Sequence, residues 1–326
     1  MKTLIDRRKR WGIVLAGGEG ERLRPLTRLI SGDDRPKQFC RLYGGMTLLE
    51  QARRRAQQSI RAEQILFSLT RAHENFYLHE LADCPSQRVV QPRNRGTAAA
   101  ILSSLLVIAR KDQNATVAVF PSDHHYSDEN AMAEAVERAF ELSRRETDSV
   151  ILLGAKPHDA EVDYGWIQVG SQVHGSPDSF LVQGFHEKPA PLVARFLFDQ
   201  GSLWNTFVMV GKVFAFLEMI CSAMPGLLKE LQNFPAVHAP GEELRIADAA
   251  YAGLPSIDLS GQVLSTEIQR LIVHRLGPVT WSDLGDCEQV LAALSGGDME
   301  PEWATTWRTM KPPTAVKRLA ALAALG

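Results

Sequence analysis

Trp11-Gly-Ile-Val-Leu-Ala-Gly-Gly-Glu-Gly-Glu-Arg-Leu-Arg-Pro-Leu-Thr27 is the stretch on which the fold turns. Its first part, Trp11 to Ala16, is a short apolar run of the kind that makes a buried parallel strand. Gly17, Gly18 and Gly20 then remove three side chains within four positions. Glycine permits a tight turn and a close approach of backbone to a ligand. Arg22 and Arg24 follow at once, and Lys37 comes after a short loop. Bare backbone N–H groups beside cations suit a polyphosphate. The spacing is not that of a Walker A loop, nor a regular Gly-x-Gly-x-x-Gly. Taken alone, the stretch is also compatible with an ordinary strand-to-helix turn carrying surface arginines.

The chain around it alternates strands and helices. Thr47 to Ser59 reads as a helix opened by a Thr47/Glu50 capping box. Gln64–Thr70 and Arg88–Gln91 read as strands, with a charged helix over Ala72–Leu81 between them. A loop, Pro92-Arg-Asn-Arg-Gly, runs into a helix near Thr97, whose first-turn N–H groups favour anions or polar ligand atoms. Thr116–Phe120 and Ser149–Leu153 read as buried strands around an amphipathic helix, Asn130–Ser143. Such alternation argues a mostly parallel sheet covered on both faces.

The pattern changes after Leu153. Tyr164–Val169 and Phe180–Phe185 read as antiparallel strands about a Gly-Ser-Pro turn. Pro191–Asp199 and Val213–Ile220 read as helices, with Phe207–Val210 and Gln269–Arg275 as strands. Residues 28–39 read as a polar loop, and Ser256 to Ser265 as a polar turn. Pro225 to Ala252 reads as helix broken at Pro235 and at Pro240-Gly241. Ala315 to Leu325 reads as an amphipathic packing helix.

Composition narrows the function classes. The 326 residues hold 45% apolar side chains, enough for a large α/β core with a smaller subdomain. With 36 basic and 38 acidic residues and a formal charge of -2, a nucleic-acid surface has no support. Cys40, Cys84, Cys221 and Cys287 are scattered, so neither a disulfide framework nor a zinc site is suggested. No secretory leader and no run of about 18 apolar residues is visible. A soluble cytoplasmic protein without membrane partners is the expectation.

Three kinds of group recur at strand ends: backbone-rich loops, the cations Arg22, Lys37 and Lys188, and the carboxylates Asp123, Glu187 and Asp283. Phosphoryl and nucleotidyl transfer need this mixture, because the protein supplies mainly position and charge. Asp123 stands at a strand's carboxyl end and suits a hard divalent cation. His124 and His125 beside it are further ligand candidates. No Gly-x-Ser-x-Gly elbow is present, so the attacking group is expected to be a substrate oxygen.

The chain resembles the sugar-1-phosphate nucleotidyltransferases, and within them the mannose-1-phosphate guanylyltransferase branch. Leu15-Ala-Gly-Gly-Glu-Gly-Glu-Arg-Leu-Arg-Pro-Leu-Thr-Arg28, Arg35-Pro-Lys-Gln-Phe39, Asn94-Arg-Gly-Thr-Ala-Ala-Ala-Ile101 and Val119-Phe-Pro-Ser-Asp-His124 carry the resemblance. Phe185-His-Glu-Lys-Pro189, Leu203-Trp-Asn205 and Trp281-Ser-Asp-Leu-Gly285 complete it, in the family's order. The resemblance implies a Rossmann-like, mostly parallel mixed sheet flanked by helices, the nucleotide-diphospho-sugar transferase fold, with a small sugar-side subdomain. It implies a catalytic domain over 1–290, with a nucleotide half over about 10–155 and a sugar half over about 156–290. A helical tail, 291–326, would follow.

By the same resemblance, GTP and α-D-mannose 1-phosphate would give GDP-mannose and pyrophosphate with Mg²⁺. Leu15, Ala16, Gly17, Gly18 and Ser122 would approach the nucleotide, and Gln91, Asn94 and Thr97 would lie near the base. Arg22 and Lys37 would hold the triphosphate. Asp123 and Asp283 would bind the metal. Tyr164, Gly165, Glu187, Lys188 and Asn205 would hold the sugar phosphate, Lys188 acting also in catalysis. The expected partners are small molecules, an NTP and a hexose 1-phosphate, with room for a homodimer. The chain departs from the family where Gly-Tyr-Gly becomes Asp163-Tyr-Gly165, where Gly96-Thr-Ala-Ala-Ala100 replaces Asn-Thr-Ala-Pro-Ala, and where Thr206-Phe207 replaces Ser-Gly. The same chemistry with another sugar or base, and a non-catalytic nucleotide-sugar-binding homologue, therefore stay open.

Overall fold

The first apolar run becomes the strand from which the sheet grows. The computed structural model describes residues 7–231, 243–245, 248–294 and 301–310. Its strands are β1 (Arg10–Leu15), β2 (Ile65–Thr70), β3 (Gln87–Gln91), β4 (Thr116–Pro121), β5 (His125–Tyr126) and β6 (Val150–Ala155). They continue as β7 (Gly165–Gln172), β8 (Ser179–Glu187), β9 (Leu203–Lys212), β10 (Glu243–Arg245), β11 (Leu271–Arg275) and β12 (Trp281–Ser282). Ten form one sheet in the order β10-β3-β2-β1-β4-β9-β6-β11-β8-β7, and β5 pairs with β12 in a small second sheet.

From β10 to β4 every pairing is parallel. β9 then enters antiparallel between β4 and β6, and the β7–β8 hairpin closes the far edge antiparallel. The fold is the Rossmann-like mixed sheet with flanking helices that the resemblance implies. Its second half is less parallel than simple alternation suggests, because β9 separates β4 from β6.

Alternate residues of the central strands feed two cores, as the two-residue period of a strand requires. Ile13, Val117, Val119 and Met209 pack with the helices Gly96–Lys111 and Val213–Ala223. Val14, Ala118, Phe120 and Val210 pack with Leu48–Ser59 and Glu129–Ser143. Both of the latter helices have the caps their sequences encode. Thr47 accepts from the Glu50 N–H, and Asp128 accepts from Asn130 and Ala131. A third core joins Leu23, Leu26, Cys40, Leu48, Leu284 and Trp307. It brings the chain's late segment, including helix Glu302–Met310, against the helix Arg24–Ser31 that follows the glycine-rich loop.

Several segments differ from the sequence reading. Residues 28–39 are not all loop: Arg24–Ser31 is helix, with Leu26 and Thr27 buried, and Lys37–Phe39 is a 3-10 turn. Pro25 in the first turn and Gly32 after the last residue supply start and stop signals that the polar composition masks. Ser256–Ser265 is not a polar turn either. Ile257, Leu259, Val263 and Leu264 are buried, and Ser260–Leu264 makes one π-helical turn. β9 begins at Leu203, earlier than expected, and the edge strand β10 was not anticipated. The breaks at Pro235 and Pro240 and the helix at 315–325 lie outside the described residues. Among the described residues, no helix is long and apolar enough to cross a membrane.

Candidate active site

The site lies beyond the carboxyl ends of the parallel strands, where open α/β sheets bind ligands. A cavity of about 370 Å³ opens there. Leu15, Gly17, Gly18, Arg22, Gln91, Asn94, Thr97 and Asp123 line one side of it. Tyr164, Gly165, Glu187, Lys188, Asn205 and Asp283 line the other. Lys37 lies in an adjoining cavity that shares Arg22, Asp123, His124 and Asp283 with the first. Ala16 and Ser122 line neither. Both are buried behind the loop, the Ala16 N–H bonded to the Ser68 carbonyl and the Ser122 N–H to that of Leu15. Their backbone N–H groups are thereby taken up by the neighbouring strands.

The glycine-rich loop is held by its carbonyls. Gln38 donates from Nε2 to Ala16 O at 3.1 Å and Gly18 O at 2.9 Å, and Thr70 donates to Gly17 O at 3.3 Å. A Cβ on Gly17 would sit 2.8 Å from the Thr70 hydroxyl, so a larger residue there would have to displace that hydroxyl. Gln38 and Thr70 were missed in the sequence. The Pro-Lys-Gln-Phe motif carried Gln38, but nothing local revealed its long reach.

Asp123 and Asp283, far apart in sequence, meet at this cavity. Lys37 Nζ stands 3.3 Å from Asp123 Oδ2 and donates to the backbone carbonyls of Asp283 and Leu284. One buried ammonium therefore ties both carboxylate-bearing segments together. Burial works to raise the Asp123 carboxyl, but Lys37 and His124 outweigh it and hold the group below its ordinary range. Leu284 fixes the second segment: it is fully buried at φ 50°, and a left-handed leucine persists only where packing enforces it. Lys188 and Phe207, on the cavity wall, also have positive φ.

His124 lines the cavity, whereas His125 turns away to the Tyr43 hydroxyl, 3.0 Å from Nδ1. Burial lowers His124's pKa against the pull of Asp123 and Asp283, so the ring is neutral near pH 7. Trp281 Nε1 donates to its Nδ1 at 3.3 Å, which leaves the proton on Nε2, 3.7 Å from Asp123 Oδ1. Among the described residues, no three His, Cys, Asp or Glu side chains converge as metal donors.

The wall formed by Gln91, Asn94 and Thr97 is more occupied than the sequence suggests. Gln91 is buried; its oxygen accepts from Tyr251, and its nitrogen donates to Ser68. It is a wall whose amide is already committed. The first-turn N–H groups of helix Gly96–Lys111 are also partly taken, Gly96 by Asn94 Oδ1 at 2.8 Å and Ala98 by Ile257 O at 3.1 Å. Thr97 Oγ1 accepts from the Leu259 N–H at 2.8 Å and donates to Asp258 Oδ1 at 3.2 Å. Asp258 and Ser260 line the cavity without having been singled out, and Asp163, marked in the sequence only as a departure from Gly-Tyr-Gly, lines it too. Asp258 and Ser260 lay in the segment misread as a turn.

On the far wall, Glu187 sits over Gly165, where a Cβ would be 2.7 Å from its Oε2. Burial first, and then the charge of Asp258, push the Glu187 carboxyl up to about 7. The folded state therefore holds a proton that the unfolded chain releases near 4.5, so stability falls as pH rises between about 4.5 and 7. Glu187→Gln should remove that slope: in thermal melts the variant should gain on the parent as pH rises through this window. Parallel curves would place Glu187 in ordinary solvent.

The Nucleotidyl transferase family model matches residues 11–296. Mannose-1-phosphate guanylyltransferase ManC of Salmonella typhimurium is 26% identical over 291 residues, covering 86% of this chain and 59% of that protein. The mannose-1-phosphate guanylyltransferase of Escherichia coli K12 is 27% identical over 286 residues, covering 85% and 58%. The chain thus spans about three fifths of the length of these relatives. Among solved structures, one described as mannose-1-phosphate geranyltransferase from Thermus thermophilus superposes with TM-score 0.76 at 28% identity, covering 90% of this chain and 81% of the other. With the family model spanning the whole sheet and both walls of the cavity, the chain belongs to the nucleotidyl transferase family.

Proposed function

We propose that the protein transfers a nucleotidyl group from an NTP to a hexose 1-phosphate, with GTP and α-D-mannose 1-phosphate as the pair. The names of its relatives favour that pair. The observation that carries the chemistry is the convergence of Asp123 and Asp283 on one cavity that also holds Arg22 and, next door, Lys37. Two carboxylates on which, among the described residues, no third His, Cys, Asp or Glu converges fit Mg²⁺, which completes its shell with water and phosphate oxygens. Bound there, Mg²⁺ would neutralise phosphate charge. The glycine-rich loop seats the triphosphate, and Arg22 meets the charge that grows on the departing pyrophosphate. Lys188 and Asn205 orient the sugar phosphate so that its oxygen attacks the α-phosphorus in line. The P–O bond to the β-phosphate breaks, and pyrophosphate leaves.

A panel of NTPs against several hexose 1-phosphates, read by pyrophosphate release, tests the proposal. Release with GTP and mannose 1-phosphate above all other pairs supports it, and no release with any pair defeats it. The Arg22–Asp163 ion pair, 3.2 Å across the cavity mouth, favours one second reading, a nucleotide-sugar-binding homologue that does not turn over. Tight GDP-mannose binding without pyrophosphate release would select it.

Arg22→Ala separates catalysis from folding. Both partners of its ion pair are more than half exposed, so the contact contributes at most about 1 kcal/mol to stability. Loss of a preorganised donor to the transition state should lower kcat/KM roughly a hundredfold. A melt that moves as far as the rate does would return Arg22 to a structural role.

A further inference from the structure

We propose that Asp258 is a specificity-determining residue that, with Glu187, brackets a pair of hydroxyls on the hexose. The inference rests on the nucleotidyl-transfer reading and names the part of the site that would choose the sugar. Both carboxylates line the same cavity, yet one comes from β8 and the other from the segment before the π-helical turn. Gly261 lies between them. A Cβ there would come 3.3 Å from Asp258 Oδ2 and 3.8 Å from Glu187 Cγ. At Gly165 a Cβ would come 2.7 Å from Glu187 Oε2, so that glycine lets the Glu187 carboxyl seat where it does.

Asp258 is aimed rather than loose. Oδ1 accepts from Thr97 Oγ1 at 3.2 Å, and Oδ2 accepts from the Gly261 N–H at 2.7 Å. Each carboxylate oxygen has two acceptor sites, so one on each oxygen remains for a ligand. Among the described residues Asp258 makes no ion pair, so nothing cationic competes for those sites. A wall that carries the Asp258 charge beside the half-buried Glu187 favours neutral hydroxyl donors over phosphate, which that charge would repel. Burial and the Asp258 charge also keep Glu187 protonated up to about 7, where it can donate as well as accept. The pair therefore suits a diol, with the phosphate turned towards Lys188 and Asn205.

The alternative is that Asp258 only caps the turn through Gly261. Asp258→Ser keeps a capping oxygen and removes the carboxylate; Asp258→Asn is the second variant should the first not fold. Calorimetric binding of mannose 1-phosphate, its mono-deoxy analogues and GTP to the full chain reads the effect without requiring turnover. Losing a charged acceptor to a hydroxyl should weaken mannose 1-phosphate binding about tenfold or more. GTP binding should stay within about twofold, the melting temperature should hold, and the loss should vanish for the one deoxy analogue that lacks the bracketed hydroxyl. In Asp258→Asn, the pH at which sugar-phosphate affinity changes should also move downward as Glu187 loses its charged neighbour. An equal loss for every analogue, a loss shared with GTP, or a drop in melting temperature without a sugar effect overturns the proposal. Binding that follows the expected pattern without pyrophosphate release would retain Asp258's role and reject only the catalytic reading.

Discussion

Asp123→Asn should reduce turnover roughly a thousandfold, about 4 kcal/mol in the barrier, while the protein stays folded. The carboxylate stands where the attacked phosphate must lie if the glycine-rich loop holds the triphosphate. Its replacement removes a full negative charge but keeps an oxygen for the Lys37 ammonium. Losing one partner of a buried pair can cost about 3–5 kcal/mol when the other is stranded. Lys37 is not stranded, because the Asp283 and Leu284 carbonyls still accept from it. The stability loss should therefore be the smaller effect, measurable by urea unfolding beside the rate. Raising Mg²⁺ should recover part of the lost rate if the carboxylate serves to hold that ion. A variant that turns over like the parent, or one whose unfolding accounts for the whole loss, would remove Asp123 from the reacting centre.

Much of this geometry was legible from one dimension. β1, β4 and their buried runs follow from apolar content alone, and the Thr47 and Asp128 caps follow from side-chain chemistry next to a helical period. Asp123 could be placed because the carboxyl end of a parallel strand is where such folds bind. What the sequence hid is long-range. Gln38 holds a loop twenty residues away, and Tyr251 commits Gln91's amide from the far end of the chain. The Asp258 segment looked polar because its buried residues alternate with charged and small ones at no regular period. Only packing against the helix at Gly96 shows that it is a wall of the cavity. Arg22's ion pair with Asp163 was equally unreadable, since neither residue's neighbours name the other.

Gly96→Ala should cost more stability than any other glycine substitution near the cavity, about 3 kcal/mol or more. Two separate effects add. At φ 83° an alanine meets the left-handed penalty, roughly 1–2 kcal/mol. The new Cβ would also lie 2.2 Å from Ile257 O and 2.6 Å from Ile257 C, and these are backbone atoms that no rotamer can move aside. Overpacking of this kind costs typically about 1–3 kcal/mol. Gly32→Ala is the internal control, because its φ is 77° but nothing lies within 4 Å of its Cβ. That variant should show the backbone penalty alone, so the difference between the two isolates the close approach. The damage at Gly96 should also reach ligands. Pushing Ile257 away breaks the Ala98 N–H to Ile257 O bond and the Ile257 N–H to Arg95 O bond, both 3.1 Å. Thr97 and Asp258 lose their register with them, so sugar-phosphate and nucleotide affinity should fall together, unlike the sugar-only loss expected of Asp258→Ser. Equal stability losses for Gly96→Ala and Gly32→Ala would mean that the 254–259 segment yields freely, and that the wall it forms is not a rigid part of the cavity.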